Sequence, residues 1–146
     1  MSDTTAGAPA GSTAIDLFAE FATNTNAEEA GAWVPYSGDI EFLIARSNNP
    51  TYARKLTKLF DRNRQLLNTK GKAAEAKAEE ITVEVMADAI LLGWKGTFTW
   101  KGQPLPYSKE NAKAVLAVKD FRRWVQEKAE DFDRFKLVQD EADAGN

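Results

Sequence analysis

Pro104 and Pro106 stand on either side of Leu105, and this Pro-Leu-Pro run is the tightest local constraint in the chain. A proline fixes its own φ and keeps the residue before it out of the helical region, so Gln103 and Leu105 must both be extended. No helix can run through this point. Upstream, Thr97-Phe98-Thr99-Trp100 alternates polar and aromatic residues between Gly96 and Gly102, as a short strand does. It can pair with a neighbouring hairpin or with itself around a turn. Downstream, Ser108 caps a helix whose apolar side carries Ala112, Val115 and Leu116. Asp120 then caps a last helix, along which Phe121, Trp124, Val125, Ala129, Phe132 and Phe135 recur over about four turns.

The first half divides by similar signals. Ile15, Leu17, Phe18 and Phe21 make a short apolar patch of one or two helical turns, and residues 24–31 read as a loop. Residues 33–46 read as a β-hairpin turning at Ser37-Gly38-Asp39, with Ile40, Phe42 and Ile44 on one face and Pro35 confining the first strand to an edge. A two-stranded hairpin needs a helix against it to be stable. Asn49-Pro50 is a cap followed by a proline at the first helical position. From there Tyr52, Leu56, Leu59, Phe60, Leu66 and Leu67 recur at helical spacing over residues 50–68. A second helix, residues 72–92, carries Ile81, Val85, Ala89 and Leu92. The expected fold is mainly α with a small hairpin or short sheet (α+β), a compact bundle of about four amphipathic helices.

Charge is segregated. Residues 1–45 hold seven acids and no base, whereas residues 46–72 hold eight bases against the single acid Asp61. Glu80, Glu84 and Asp88 repeat one turn apart, so their like charges call for a positive neighbour. Antiparallel packing against the basic helix supplies one. The length of 146 residues suits one domain, expected at 14–138 between a disordered arm at 1–13 and a frayed acidic end at 139–146. The Met-Ser-Asp start has neither the basic region nor the apolar run of a signal peptide, and no window has the apolar length of a membrane span.

With no Cys and no His, the chain lacks the usual residues for thiol catalysis, imidazole base chemistry, zinc fingers and haem ligation. No phosphate-binding loop, dinucleotide fingerprint, calcium loop or metalloprotease signature is present. Glu79, Glu80 and Glu84 read as a solvated helix face, not a cation site, and Asp131 and Asp133 are two apart and diverge. No catalytic residue, metal or cofactor is expected. The aromatic stripe reads as core, with Trp124 within it and Phe132 and Phe135, in its last turn, as candidate anchors for a partner protein. Arg54, Lys58 and Arg62 on the basic helix are the candidate charged contacts. Overall acidity and an acidic first third weigh against nucleic acid.

Three pieces of the second half resemble the tail assembly chaperones of long-tailed bacteriophages. These are Trp94 with the polar-aromatic segment after it, the run Lys101-Gly102-Gln103-Pro104-Leu105-Pro106-Tyr107-Ser108-Lys109-Glu110-Asn111-Ala112, and the closing helix from Phe121 to Phe135. The Gly-Trp-Val-Pro-like piece at Trp33, the strand at residues 42–46 and the helix after Asn49-Pro50 are similar more loosely. The resemblance implies a small non-catalytic helical protein acting in the host cytoplasm during virion assembly. It would bind and solubilise the tape measure protein and help recruit major tail tube subunits, with self-association possible and no nucleic acid or membrane partner. The alternative is a structural tail or head-to-tail joining protein kept in the virion as a ring or tube component, in which the hairpin at 33–46 adds strands to its neighbours.

Overall fold

The hairpin forms where the turn chemistry places it. In the computed structural model, which describes residues 14–137, β1 (Ala32–Ser37) and β2 (Ile40–Ile44) pair antiparallel, with Val34 opposite Phe42 and Ala32 opposite Ile44. Gly38 makes the turn with a φ of +57°. The third strand is β3 (Leu91–Lys95), antiparallel to β2, with Trp94 opposite Phe42 and Leu91 opposite Ile44. The order β1-β2-β3 leaves β1 at an edge, and Pro35 accordingly lies on the strand with a free side. Val34, Phe42, Ile44 and Leu91 are buried. The expected strand near Thr97 is shorter and separate: β4 (Thr99–Trp100) pairs with β5 (Gln103–Pro104), around a turn in which Lys101 and Gly102 both have positive φ.

Seven α-helices accompany these strands among the described residues, so the fold is mainly helical with a small sheet. The chain divides into two units, one at Asn24–Phe135 and one joining Met1–Thr23 to Lys136–Asn146. The expected arm at 1–13 and acidic end at 139–146 lie outside the described residues. In the smaller unit α1 (Leu17–Phe21) is capped by Asp16, and Thr23 bridges to Lys136.

In the larger unit, residues 24–31 are not the loop expected. Asn24 accepts from the Ala27 N–H at 3.2 Å and opens α2 (Thr25–Ala30). Few apolar residues mark this helix, and its cap is what forms it. In α3 (Pro50–Arg62), Asn49 accepts from the Tyr52 N–H at 3.0 Å and donates to the Arg46 and Ala89 carbonyls at 2.8 and 3.0 Å, so this buried amide is satisfied on every side. The helix does not continue to residue 68. Asn63 turns its amide onto the Leu59 carbonyl and begins a separate short helix, α4 (Arg64–Asn68).

The second helix, α5 (Lys72–Ala89), ends three residues before the position expected. Ile90 and Leu91 are fully buried, and Leu91 pairs with β2. Their apolar run fits helix and strand equally, so pairing with the hairpin decided the matter. α5 lies antiparallel to α3, Asn49 meeting Ala89 at one end and Phe60 sharing a groove with Ala74 and Ala78 at the other. Ser108 caps α6 (Lys109–Leu116), its hydroxyl accepting from the Asn111 N–H at 3.0 Å.

The last helix, α7 (Lys119–Glu130), differs from expectation at both ends. Val118 occupies the cap without a side-chain bond, and Asp120 lies in the first turn, paired with Arg123 at 3.3 Å. At the far end Asp131 accepts from the Asp133 N–H and starts a 3-10 turn at Phe132–Arg134.

Candidate protein-binding surface

Arg54, Lys58 and Arg62 recur at four-residue intervals and form a stripe on the outer side of α3. All three are exposed, and none has an ion-pair partner among the described residues. Lys55, one position away, behaves differently: its ammonium lies 3.3 Å from the Asp88 carboxylate of α5. Asp88 also takes Lys109 of α6, and with its side chain only 9 % exposed it ties three helices together. Accepting from Lys109, it holds that ammonium above its ordinary range. The expected pairing of the acidic face with the basic helix thus occurs at Asp88. Glu79 and Glu80 find Arg122 and Lys77 instead, at 2.9 and 3.1 Å.

Trp124 sits half-buried in an aromatic cluster centred on Phe42. Its ring lies 5.5 Å from Phe42, 6.0 Å from Phe121 and 5.3 Å from the exposed Tyr36, while Lys128 stands over it at 5.7 Å. Tyr36, Phe98, Trp100 and Phe121 line a cleft of about 220 Å³ beside it. The segment that resembles the phage family is anchored to this core through two hydrogen bonds. Trp94 Nε1 donates to the Leu105 carbonyl and the Tyr107 hydroxyl to the Leu91 carbonyl, each at 2.8 Å, with the two rings edge to face at 4.9 Å. Burial, then the Asp88 charge, push the Tyr107 phenol above its ordinary value.

Phe132 and Phe135 are not an exposed last turn of the aromatic helix. The helix ends at Glu130, and Phe135 is 1 % exposed. Arg46 stands over both rings, 5.7 Å from Phe132 and 5.9 Å from Phe135, while it pairs with Glu28. Phe135 is therefore core, and Phe132 is half-buried. The outward apolar side chains lie elsewhere: Ile15, Leu17 and Phe18 are 67–72 % exposed. The sequence holds a sign of this, since that patch has no neighbouring stripe of its own to complete it.

No group of three or more Asp or Glu side chains among the described residues is arranged to hold a metal ion. Asp39 is drawn below its ordinary value by the Thr97 N–H and hydroxyl it accepts from, the wrong direction for a general acid.

No curated protein and no solved structure matches the chain. The model of the YdaY prophage protein family matches residues 47–146, from the start of the basic helix onward and well over half of the chain, and the chain belongs to that family.

Proposed function

We propose that this prophage protein is a non-catalytic tail assembly chaperone, acting in the host cytoplasm, that binds and solubilises the tape measure protein and helps bring tail tube subunits to it. The observation that carries the reading is the stripe of Arg54, Lys58 and Arg62: three exposed cations in a row, none in an ion pair among the described residues and the nearby Asp61 taken by Arg64, on a helix that packs against α5 with Tyr52 against the core. Such a row suits the acidic flank of a long helical client. The resemblance at residues 101–112 and membership of a prophage family support the same reading. The rival, a joining protein that adds strands to its neighbours, has less to work with. Its free strand β1 carries Pro35, which has no N–H to give.

Co-expression with the tape measure and tail tube proteins of the same prophage is the test. The tape measure protein is expected in the soluble fraction with the native chain and in the pellet with the triple variant Arg54→Glu, Lys58→Glu, Arg62→Glu, whose circular dichroism is unchanged. A client that stays insoluble beside the native chain, or that the triple variant rescues equally well, overturns the reading.

A further inference from the structure

Ile15, Leu17 and Phe18 are 72, 67 and 72 % exposed, more than any other large apolar side chain among the described residues apart from Phe21, also 67 %. Leu17, Phe18 and Phe21 fall on one side of α1, and Glu20 on the other. Water is a poor neighbour for Leu17 and Phe18, and each of these two side chains gains on the order of 1.5–3 kcal/mol by full burial. The flanks are acidic, with Asp16 and Glu20 in or beside the helix and no base anywhere in residues 1–45. Two such segments repel one another. The matching surface must be apolar and positive.

The chain carries that surface where α4 meets α5. A groove of about 480 Å³ is lined by Phe60, Leu67, Ala74 and Ala78, with Lys70 and Glu75 on its rim. Phe60 is 36 % exposed there. Gly71 begins α5 without a side-chain cap, so an 18-residue helix turns its positive end toward the same place, beside the exposed Lys72. Glu75 is the one acid on the rim, against Lys70, Lys72 and the helix end.

We propose that the chain self-associates head to tail, residues 15–21 of one copy seating Leu17 and Phe18 in the α4–α5 groove of the next, with Asp16 and Glu20 toward Lys70 and Lys72. The two halves of this contact are different surfaces, so two joined copies still present one unused groove at one end and one unused arm at the other. Association continues until a ring closes or the chain of copies ends. This surface is separate from the stripe of Arg54, Lys58 and Arg62, and it is tested without any phage partner.

Sedimentation velocity on the purified chain over a range of concentration is the experiment. Masses above the monomer are expected at low ionic strength, receding as salt is added. Phe18→Asp removes the arm's anchor at an exposed position, and Lys70→Glu with Ala78→Glu closes the groove; each variant alone is expected as a monomer. Their equimolar mixture has one intact arm and one intact groove, and is expected to give a 1:1 complex and nothing larger. Lys70→Glu alone, an exposed change that leaves the groove floor intact, is expected to weaken assembly and guards against misfolding of the double variant. A native chain that stays monomeric, a Phe18→Asp variant that assembles like the native chain, or a mixture that forms no complex overturns the proposal.

Discussion

Gly96 comes so close to Asp39 that a Cβ on it would stand 2.4 Å from the Asp39 carbonyl oxygen, and its φ of +112° is one that side chains rarely adopt. The contact sets the end of β3 against the hairpin turn and brings Thr97 to the Asp39 carboxylate at 2.9–3.2 Å. Gly96→Ala is expected to lower stability by about 2–4 kcal/mol, combining backbone strain with a clash against backbone. Gly102, with a φ of +82° and open space around it, serves as the control, and Gly102→Ala is expected to cost about 1 kcal/mol. Urea unfolding of both variants measures the difference; equal losses would remove the close approach as the cause.

Tyr107 and Trp94 hold the proline segment by one hydrogen bond each. Tyr107→Phe keeps the ring and leaves the Leu91 carbonyl without the hydroxyl, for an expected loss of about 1 kcal/mol. Trp94→Phe loses both the bond to Leu105 and ring area against Phe42, and is expected to cost about 2–3 kcal/mol. Hydrogen exchange at residues 103–108 should quicken in the second variant before the rest of the larger unit responds.

Stability should fall at both extremes of pH for separate reasons. Lys109 is held above its ordinary 10.5 by Asp88, so that contribution is whole below pH 10.5 and fades as pH rises through the higher folded-state value. Tyr107, raised above 10.0 chiefly by burial, acts in the same sense because the unfolded chain releases its phenol proton first. Asp39 is lowered from 3.8, so its contribution is present above that value and is lost as pH falls through the lower folded-state one. Thermal melts across pH should therefore show a flatter alkaline limb in Asp88→Asn and a flatter acid limb in Thr97→Val. An unchanged alkaline limb would remove the Lys109–Asp88 pair from the account, and an unchanged acid limb would remove the Thr97 hydroxyl, since Val keeps the backbone N–H that contributes most to Asp39.

Phe135 and Phe18 test burial against exposure. Phe135→Ala empties a fully enclosed site and is expected to cost about 3–5 kcal/mol. Phe18→Ser is expected to change unfolding free energy by no more than about 0.5 kcal/mol. Comparable losses in denaturant titrations would mean that the two rings share one environment.

Helix caps and turns were legible wherever a short polar side chain decides the backbone locally: Asn49 before Pro50, Ser108 before α6 and Gly38 in the hairpin. The basic stripe was legible too, since Arg54, Lys58 and Arg62 need only a helix to line up. The misplaced ends share one property. At Asn63, Ile90, Val118 and Asp131 the residues tolerate more than one backbone state, and the partner that settles the choice lies far along the chain or in a single side-chain bond. Phe135 is core, as the aromatic stripe was read, but it lies beyond the helix end, because helical spacing describes one helix and says nothing of a turn that ends it.

By itself the sequence determined most kinds of element, though not helix α2 or the start of strand β3, together with the separation of acid from base and the want of cysteine and histidine chemistry, since these follow from local sterics and composition. Tertiary structure alone decided that Leu91 pairs with Ile44, that Asp88 gathers Lys55 and Lys109, and which aromatic rings face water. Those outcomes depend on contacts between distant residues, where burial and pairing outweigh the small preferences any one segment holds on its own.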